Sequence, residues 1–427
     1  MATGKDIEIA DAESNREDDP SEESVSMLSD IRLFVLAVAS AIVTANAYYI
    51  HPIIAPVAAD FGVDQGLIGI VPGANQLALA LGVFLLLPLG DWFSNRKLVT
   101  LFASLQCLAL AAMAVAADFR WFLAASTMLG FFTIAPYLLP AYVSRRVPVN
   151  RLGHANAVLT TGIIVGILIA RAGSGVIAEH FGWRAVYYIA TLLMAGITLS
   201  LPFIMEERWQ SESIRTHRTY RHLIGSILPI VRDNREILVS GAIQGMSFGI
   251  FLAIWMGLGL HLTSPEMGFG VDVVGYLALL AMVNVFTTPV LGRWADRIAA
   301  RRARMILACV QIFGVCLFWP FGHSLWLLMI PIVITNIAGP AMDVTSRITF
   351  LSQAPEIRTR LMTVYIVLMF AGGGIGSWAG TAVYDWAGWT GNAVLAICFS
   401  TVVLLLSAVG LFRYGGQQGD HKSGKAA

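Results

Sequence analysis

The segments Leu86–Lys97 (LLPLGDWFSNRK) and Leu291–Arg302 (LGRWADRIAARR) share an arrangement of residues although they begin 205 positions apart. Each follows a long apolar run, and each carries an aspartate, Asp91 or Asp296, ahead of a cluster of basic side chains. Because charged segments of this kind are rare in so apolar a chain, the recurrence indicates that the chain contains two related halves.

A second motif recurs at almost the same spacing. Gly182 and Trp183 begin one apolar run, and Gly388 and Trp389 begin another 206 positions later. Two independent matches at nearly one spacing predict duplicated halves. Parallel halves of this kind are a known plan of transporters that bind their substrate between the repeats.

The composition places these halves in a membrane. Of the 427 residues, 57% are apolar and 13% are charged, whereas soluble domains carry roughly 25% charged residues. A helix needs ~20 mostly apolar residues to cross the hydrocarbon core of a bilayer. Runs of that length fall at 31–54, 67–89, 98–117, 121–143, 154–178, 184–204, 237–260, 271–291, 304–321, 324–349, 360–383 and 390–412.

We therefore predict an all-α membrane protein with twelve transmembrane helices in two pseudo-symmetric six-helix bundles. The bundles are expected at 31–205 and 237–412, with a charged linker at 206–236 that contains an amphipathic helix on the membrane surface. Residues 1–30 are acidic and aperiodic and are expected to form a disordered cytoplasmic tail. Residues 413–427 are expected to form a short polar tail.

The basic residues predict the orientation of the chain. If both termini are cytoplasmic, the cytoplasmic connections hold most of the arginines, whereas the outer connections hold Arg120 and Arg184. Cytoplasmic loops of membrane proteins carry an excess of Lys and Arg. We therefore expect a multi-pass protein of the plasma (inner) membrane with both termini in the cytoplasm.

In these features the chain resembles the major facilitator superfamily over nearly all of residues 31–412. The loop motif of that family is Gly-x-Leu-Ala-Asp-Arg-x-Gly-Arg-Arg, and the second-half segment fits it better than the first, where Leu87, Trp92 and Ser94 replace the usual Gly, Arg and Gly. The glycine-rich fifth run is similar to that of the drug:proton antiporter branches, although Ser126 stands where those branches have an arginine. The resemblance implies the major facilitator fold and secondary transport.

The recurring loop motif is a candidate gate. A carboxylate at a helix end beside basic residues pairs with arginines or caps a neighbouring helix, and the breaking of such a cluster would accompany the opening of one face. Ordinary positive-inside charge without a gating role is the alternative. The candidate gating residues are Asp91, Arg96, Lys97, Gly292, Asp296, Arg297 and Arg301.

Polar residues inside the apolar runs are the candidates for substrate binding and coupling, because they are costly in lipid. Arg171 is expected to bind an anionic group, to pair with an acid on another helix, or to clamp the structure. Asp343 stands four residues before Arg347, which favours a structural pair, with proton coupling as the alternative. His51 is placed either to titrate or to end a helix. The other candidates, for which interhelical hydrogen bonding is the alternative, are Asn46, Tyr49, Gln76, Gln244 and Asn336.

These residues favour a secondary transporter that moves a small organic solute by alternating access, with proton-coupled efflux as the leading hypothesis. Uptake or exchange of an organic anion is the first alternative, and a transporter-like sensor is a further one. Enzyme motifs are absent, so we expect no enzyme activity, no cofactor, no metal and no nucleic acid. The expected partners are the solute, a proton or other coupling ion and the lipid bilayer, and we expect a monomer.

Overall fold

The computed structural model describes residues 28–206, 225, 227–351 and 355–414. Most of the predicted acidic tail, most of the predicted linker and residues 415–427 lie outside these ranges. Within them, all regular structure is helical, which confirms the all-α prediction.

The described ranges contain twelve spans, as predicted. Eleven helical segments are long and apolar enough to cross a membrane, and the last of them consists of two helices that meet at Gly388. A short helix, Ile227–Asp233, precedes the seventh span. The spans are Asp30–Phe61, Gln65–Gly90, Asn95–Ala114, Phe119–Ser144, Leu152–Phe181, Trp183–Ile204, Glu236–Leu262, Val271–Ile298, Ala300–Phe321, Leu325–Leu351 and the two parts of Pro355–Tyr414.

The turns between the last two spans of each half share one backbone conformation. Gly182 has φ 80° and ψ 158°, and Gly388 has φ 60° and ψ −155°. A positive φ is inexpensive only without a Cβ atom, which explains glycine at both turns. The repeated Gly-Trp motif therefore marks the same turn in two duplicated halves.

The outer surface of the spans is apolar. Phe203 is 87% exposed, Trp386 86% and Phe412 85%. Water would make so many exposed large apolar side chains unfavourable, whereas lipid solvates them. The chain is therefore a multi-pass membrane protein.

Two of the contacts between the halves form seams at one side of the bundle. We call that side the far face and the opposite side, where the described chain begins and ends, the termini face. In the first seam, Gly175 of the fifth span packs against Val271 and Gly275 of the eighth. The Glu179 carboxylate accepts a hydrogen bond of 3.0 Å from the Val271 backbone N–H, so it satisfies a free donor at a helix N-terminus.

The second seam joins the second and eleventh spans. The backbones approach so closely that a methyl group at Gly73 would lie 3.0 Å from the carbonyl oxygen of Gly374. Nearer the far face, the Thr381 hydroxyl donates to the carbonyl of Gly66 at 3.3 Å. Small residues permit such close packing in membranes, where no hydrophobic force drives helices together. The two seams close the far face.

One alanine has a backbone conformation that usually requires glycine. Ala299, between the eighth and ninth spans, has φ 78° and ψ 131° and is the one non-glycine residue of positive φ in the described ranges. Its position in the loop motif is the one where the family pattern has its second glycine. A side chain at such φ and ψ values costs about 1–3 kcal/mol, so the loop holds backbone strain.

We predict that Gly175→Ala opens the far face. A methyl group at Gly175 would lie 2.6 Å from the carbonyl oxygen of Val271, whereas one at Gly173 would meet nothing within 4 Å. Spin labels on Gln65→Cys and Glu266→Cys, exposed on opposite halves, measure the gap after the native cysteines are replaced. Longer distances are expected in Gly175→Ala and parental distances in Gly173→Ala. Identical distributions in the two variants would contradict a steric seam.

We also predict that Ala299→Gly raises the thermal midpoint of the purified protein. Removal of the Cβ atom relieves the positive-φ strain, and part of the gain is lost to the greater freedom of glycine in the unfolded chain, leaving about 1 kcal/mol. The matched control is Ala300→Gly, which lies in the following helix and is expected to lower the midpoint. A lower midpoint in both variants would show that the loop is unstrained.

Candidate functional site

The first span is broken beside its polar residues. Its helices Asp30–Ala45 and Ile50–Phe61 are separated by a turn at 46–49. Pro52 explains the break, because proline lacks an N–H and its ring clashes with the carbonyl four residues earlier, here that of Tyr48. The break leaves Tyr48 and His51 buried, with their ring centroids 5.1 Å apart.

The fourth span is broken in the same way. Helix Phe119–Phe131 stops before helix Ala135–Ser144 begins. Pro136 stands two residues into the second helix and prevents a regular hydrogen bond across the gap. Tyr137 follows immediately, so this break also places an aromatic hydroxyl near the middle of a span.

One glutamine connects the two breaks. The Gln106 side-chain amide donates to the Thr133 hydroxyl at 2.6 Å and to the carbonyl of Val43 at 3.3 Å. In the second half, Gln311 stands 205 positions later and donates to the Ser247 hydroxyl at 2.8 Å. The duplication therefore repeats a polar tie between spans.

Arg171 is buried where the two halves meet, with 1% of its surface exposed. Its guanidinium carbon lies 3.5 Å from the ring centroid of Trp255 and 5.1 Å from that of Phe251. Within the described ranges, its Nε and Nη2 atoms have no hydrogen-bond partner, and no carboxylate pairs with it. The cation of one half is thus held by aromatic faces of the other.

Two side chains of the first span complete this group. The charge of Arg171 acts electrostatically on both Tyr48 and His51. Both ring nitrogens of His51 lack a hydrogen-bond partner among the described residues, and its backbone carbonyl packs beside Gly259 of the seventh span. We call Tyr48, His51, Arg171 and Trp255 the central cluster.

An aromatic stripe leads from the central cluster toward the termini face. Phe251 stacks on Phe248 at 5.8 Å, Phe248 meets Phe370 at 5.8 Å, and Phe370 meets Tyr137 at 6.3 Å between ring centroids. Phe248, Phe251 and Tyr137 are partly exposed. The stripe takes residues from both halves, and it provides an apolar wall beside the cluster.

Asp343 is engaged in a second polar group. Arg347 donates from Nε to both carboxylate oxygens at 3.0 Å, and the Tyr365 hydroxyl donates to one of them at 2.7 Å. The ion pair that the four-residue spacing predicts is therefore present, and it joins the tenth span to the eleventh. Tyr137 lies within electrostatic range of the pair, so the group borders the aromatic stripe.

The second-half gating candidates do not form one cluster. Arg301 is buried and donates from Nε and Nη2 to the two carboxylate oxygens of Glu236, each at 2.7 Å. Asp296 and Arg297 are exposed, and Gly292 faces the tenth span near Val344. Arg301 therefore joins the ninth and seventh spans within one half.

The first-half gating candidates lie at the start of the third span. Ser94 caps this helix by accepting a hydrogen bond from the Lys97 backbone N–H at 3.4 Å. Arg96 is partly buried and Lys97 is exposed. The Asp91 side chain lies outside the described part, and a gating role for this motif stays a prediction.

Asn46 and Tyr49 face the interior of the first half. The Asn46 amide contacts the Met194 sulfur at 3.5 Å, and Tyr49 lies within electrostatic range of Tyr187. Both partners are in the sixth span. The break thus directs Tyr48, rather than Tyr49, to Arg171.

The remaining candidates are buried in separate places. Asn336 donates to the carbonyl of Ile332 on its own helix at 2.8 Å. Both amide atoms of Gln76 and the amide oxygen of Gln244 lack a hydrogen-bond partner within the described ranges. No described contact joins these three residues to the central cluster.

Several residues of the site are not among the candidates named from the sequence. These are Tyr48, Tyr137, Trp255 and Tyr365. Two signals were available. A proline in the interior of a span, as at Pro52 and Pro136, indicates a break, and Gln106 recurs as Gln311 at the spacing of the two repeated motifs.

Comparison with known proteins agrees with this architecture. The chain is 24% identical to transporter YgaY of Escherichia coli over 386 residues, which cover 89% of the chain and 95% of that protein. It is 29% identical to transporter SCO4007 of Streptomyces coelicolor over 86% of the chain and 84% of that protein. Multidrug resistance protein D of Escherichia coli is 27% identical over 67% of the chain and 72% of its own length.

Solved structures show the same fold. A bacterial homologue of the human lysosomal transporter Spinster aligns with a TM-score of 0.71 at 13% identity, over 89% of this chain and 95% of its own. These relatives and neighbours are transporters, not enzymes. The profile of the Major Facilitator Superfamily matches residues 36–307 and 237–426, and the chain therefore belongs to that superfamily and is a secondary transporter.

Proposed function

We propose that this protein exports a small organic solute in exchange for protons by alternating access. The observation that supports this most is the position of the central cluster, which both halves build. The two seams close it from the far face, and the aromatic stripe leads from it toward the termini face. A site between two repeats, closed on one side at a time, is what alternating access requires.

The proposed direction rests on relatives and on charge. Multidrug resistance protein D and a relative from Lactococcus lactis named as a multidrug resistance efflux pump support export. The termini face carries most of the arginines, which supports a cytoplasmic location for it in the plasma membrane. Both seams form within one chain, which supports a monomer as the unit of transport.

Two buried titratable side chains are candidates for the proton site. Both ring nitrogens of His51 lack a hydrogen-bond partner among the described residues, whereas the Asp343 carboxylate is already bound by Arg347 and Tyr365. A group that exchanges protons during transport must be able to lose its partners. We therefore assign coupling to His51 and a structural role to Asp343.

Uptake or exchange of an organic anion is the second candidate function. It is favoured by the guanidinium of Arg171, which no described carboxylate balances. The two functions differ in the direction of proton movement relative to the solute.

We predict that cationic or neutral solutes entering liposomes that contain the protein drive protons in the opposite direction. His51→Gln is expected to abolish this proton movement but to leave solute counterflow, because glutamine hydrogen-bonds without titrating. A pH-sensitive dye inside the liposomes and a labelled solute measure the two fluxes. The matched control is His154→Gln, an exposed histidine of the fifth span, which is expected to behave as the parent. Protons that move with the solute would reject the exchange mechanism.

We predict that Asp343→Asn lowers stability without removing the coupling. The variant leaves Arg347 partly buried without its anion, which costs about 1–3 kcal/mol for a pair that is partly solvated. Thermal unfolding in detergent is expected to show a lower midpoint, and Asp343→Asn combined with Arg347→Gln should lose less than the sum of the single variants. An unchanged midpoint with loss of proton movement and intact counterflow would assign coupling to Asp343.

A further inference from the structure

The Nε and Nη2 donors of Arg171 form a buried two-donor edge. Arg301 of the same chain holds both oxygens of Glu236 with its Nε and Nη2 atoms. In Arg171 the same two atoms are buried and have no hydrogen-bond partner among the described residues. This side of a guanidinium matches a carboxylate with two parallel hydrogen bonds, and the Arg301–Glu236 pair is an example of that geometry in the same chain.

The surroundings of Arg171 hold this edge in place. The Trp255 ring covers the guanidinium, with the guanidinium carbon 3.5 Å from the ring centroid. Stacking of this kind leaves the in-plane N–H groups for other acceptors. Since 1% of Arg171 is exposed, these donors do not contact bulk solvent, and a buried guanidinium without an anion is unfavourable.

The apolar neighbours indicate what the anion is attached to. Phe251 lies 5.1 Å from the guanidinium carbon and continues through stacked Phe248 to Phe370. Flat rings pack against aromatic side chains in stacked or edge-to-face arrangements. A molecule that places a carboxylate at Arg171 and a ring along this stripe would satisfy both features.

We propose that Arg171 binds the carboxylate of an aromatic monocarboxylic acid whose ring packs on the aromatic stripe. The proposal rests on the second candidate function, transport of an organic anion, because it names the class of anion that the transporter carries. The buried position of Arg171 means that binding requires the two halves to part, and the Gly175 seam lies next to it on the same helix.

The test measures binding rather than transport, on the full-length protein in detergent without a proton gradient. Benzoate, its neutral analogue benzamide, the cation benzylamine and the ring-free acid octanoate are titrated, and the rise of the thermal midpoint gives each affinity. Benzoate is expected to bind roughly ten- to hundredfold more tightly than benzamide, since it gains a charge-assisted pair. Equal binding of benzamide overturns the carboxylate site, and octanoate binding as tight as that of benzoate overturns the aromatic part.

Variants locate the site. Arg171→Lys is expected to weaken benzoate binding roughly ten- to hundredfold, because lysine cannot make the two-donor contact. The control is Arg120→Gln, which removes an exposed charge at the far face and should leave the affinity unchanged. Unchanged benzoate affinity in Arg171→Lys overturns the assignment. If that variant does not fold, the comparison of the four ligands on the parent protein decides.

The two proposals fail separately. Benzoate binding without solute-driven proton movement in liposomes would remove proton-coupled export and keep the anion site. Proton-coupled export of cations by a protein that does not bind benzoate would keep proton-coupled export and remove the anion site.

Discussion

A backbone N–H or C=O group left unpaired in hydrocarbon costs several kcal/mol, and this constraint decides where the helices of this protein are able to break. The turn at 46–49 and the break between Phe131 and Ala135 lie inside the N-terminal half, where polar side chains compensate for lost hydrogen bonds. Gln106 reaches the chain beside both breaks. The two breaks therefore share one hydrogen-bonding side chain, and they bring Tyr48, His51 and Tyr137 toward the centre of the bundle.

Arg171 links the central cluster to the closed far face through both its backbone and its side chain. A methyl group at Gly275 would lie 3.0 Å from the carbonyl oxygen of Arg171, so the backbone that carries the cation is itself part of the first seam. The side chain of Arg171 reaches Trp255 across the same junction. Arg171 therefore belongs to both the first seam and the central cluster, and these two features form one structural unit.

Hydropathy and the two repeated motifs were sufficient to predict the twelve spans, since each span is long, apolar and bounded by charge or glycine. The burial of Arg171 could also be predicted, because a lone charge in a span rarely faces lipid. Its contact with Trp255 could not. The seventh span is apolar around its whole circumference, so the sequence does not show which side faces the other half. Which of Tyr48 and Tyr49 faces Arg171 depends on the turn at 46–49. This turn rotates one helix relative to the next, and the spacing of apolar residues does not predict the angle.

The residues that recur between the two halves differ in kind from the residues of the candidate site. Gly182 and Gly388 form the same turn, and Gln106 and Gln311 make equivalent ties, at spacings of 206 and 205 residues. By the same spacing, however, Arg171 corresponds to Gly376, Asp343 to Leu138 and Trp255 to Ile50. These repeated residues support the helices, whereas Arg171, Asp343 and Trp255 have no counterpart of the same type at that spacing. The scaffold is symmetric, whereas the central cluster is not. If the halves rock, Arg171 of one half would gain or lose its contact with the aromatic faces of the other half. A solute that binds Arg171 in only one of these two states would favour that state.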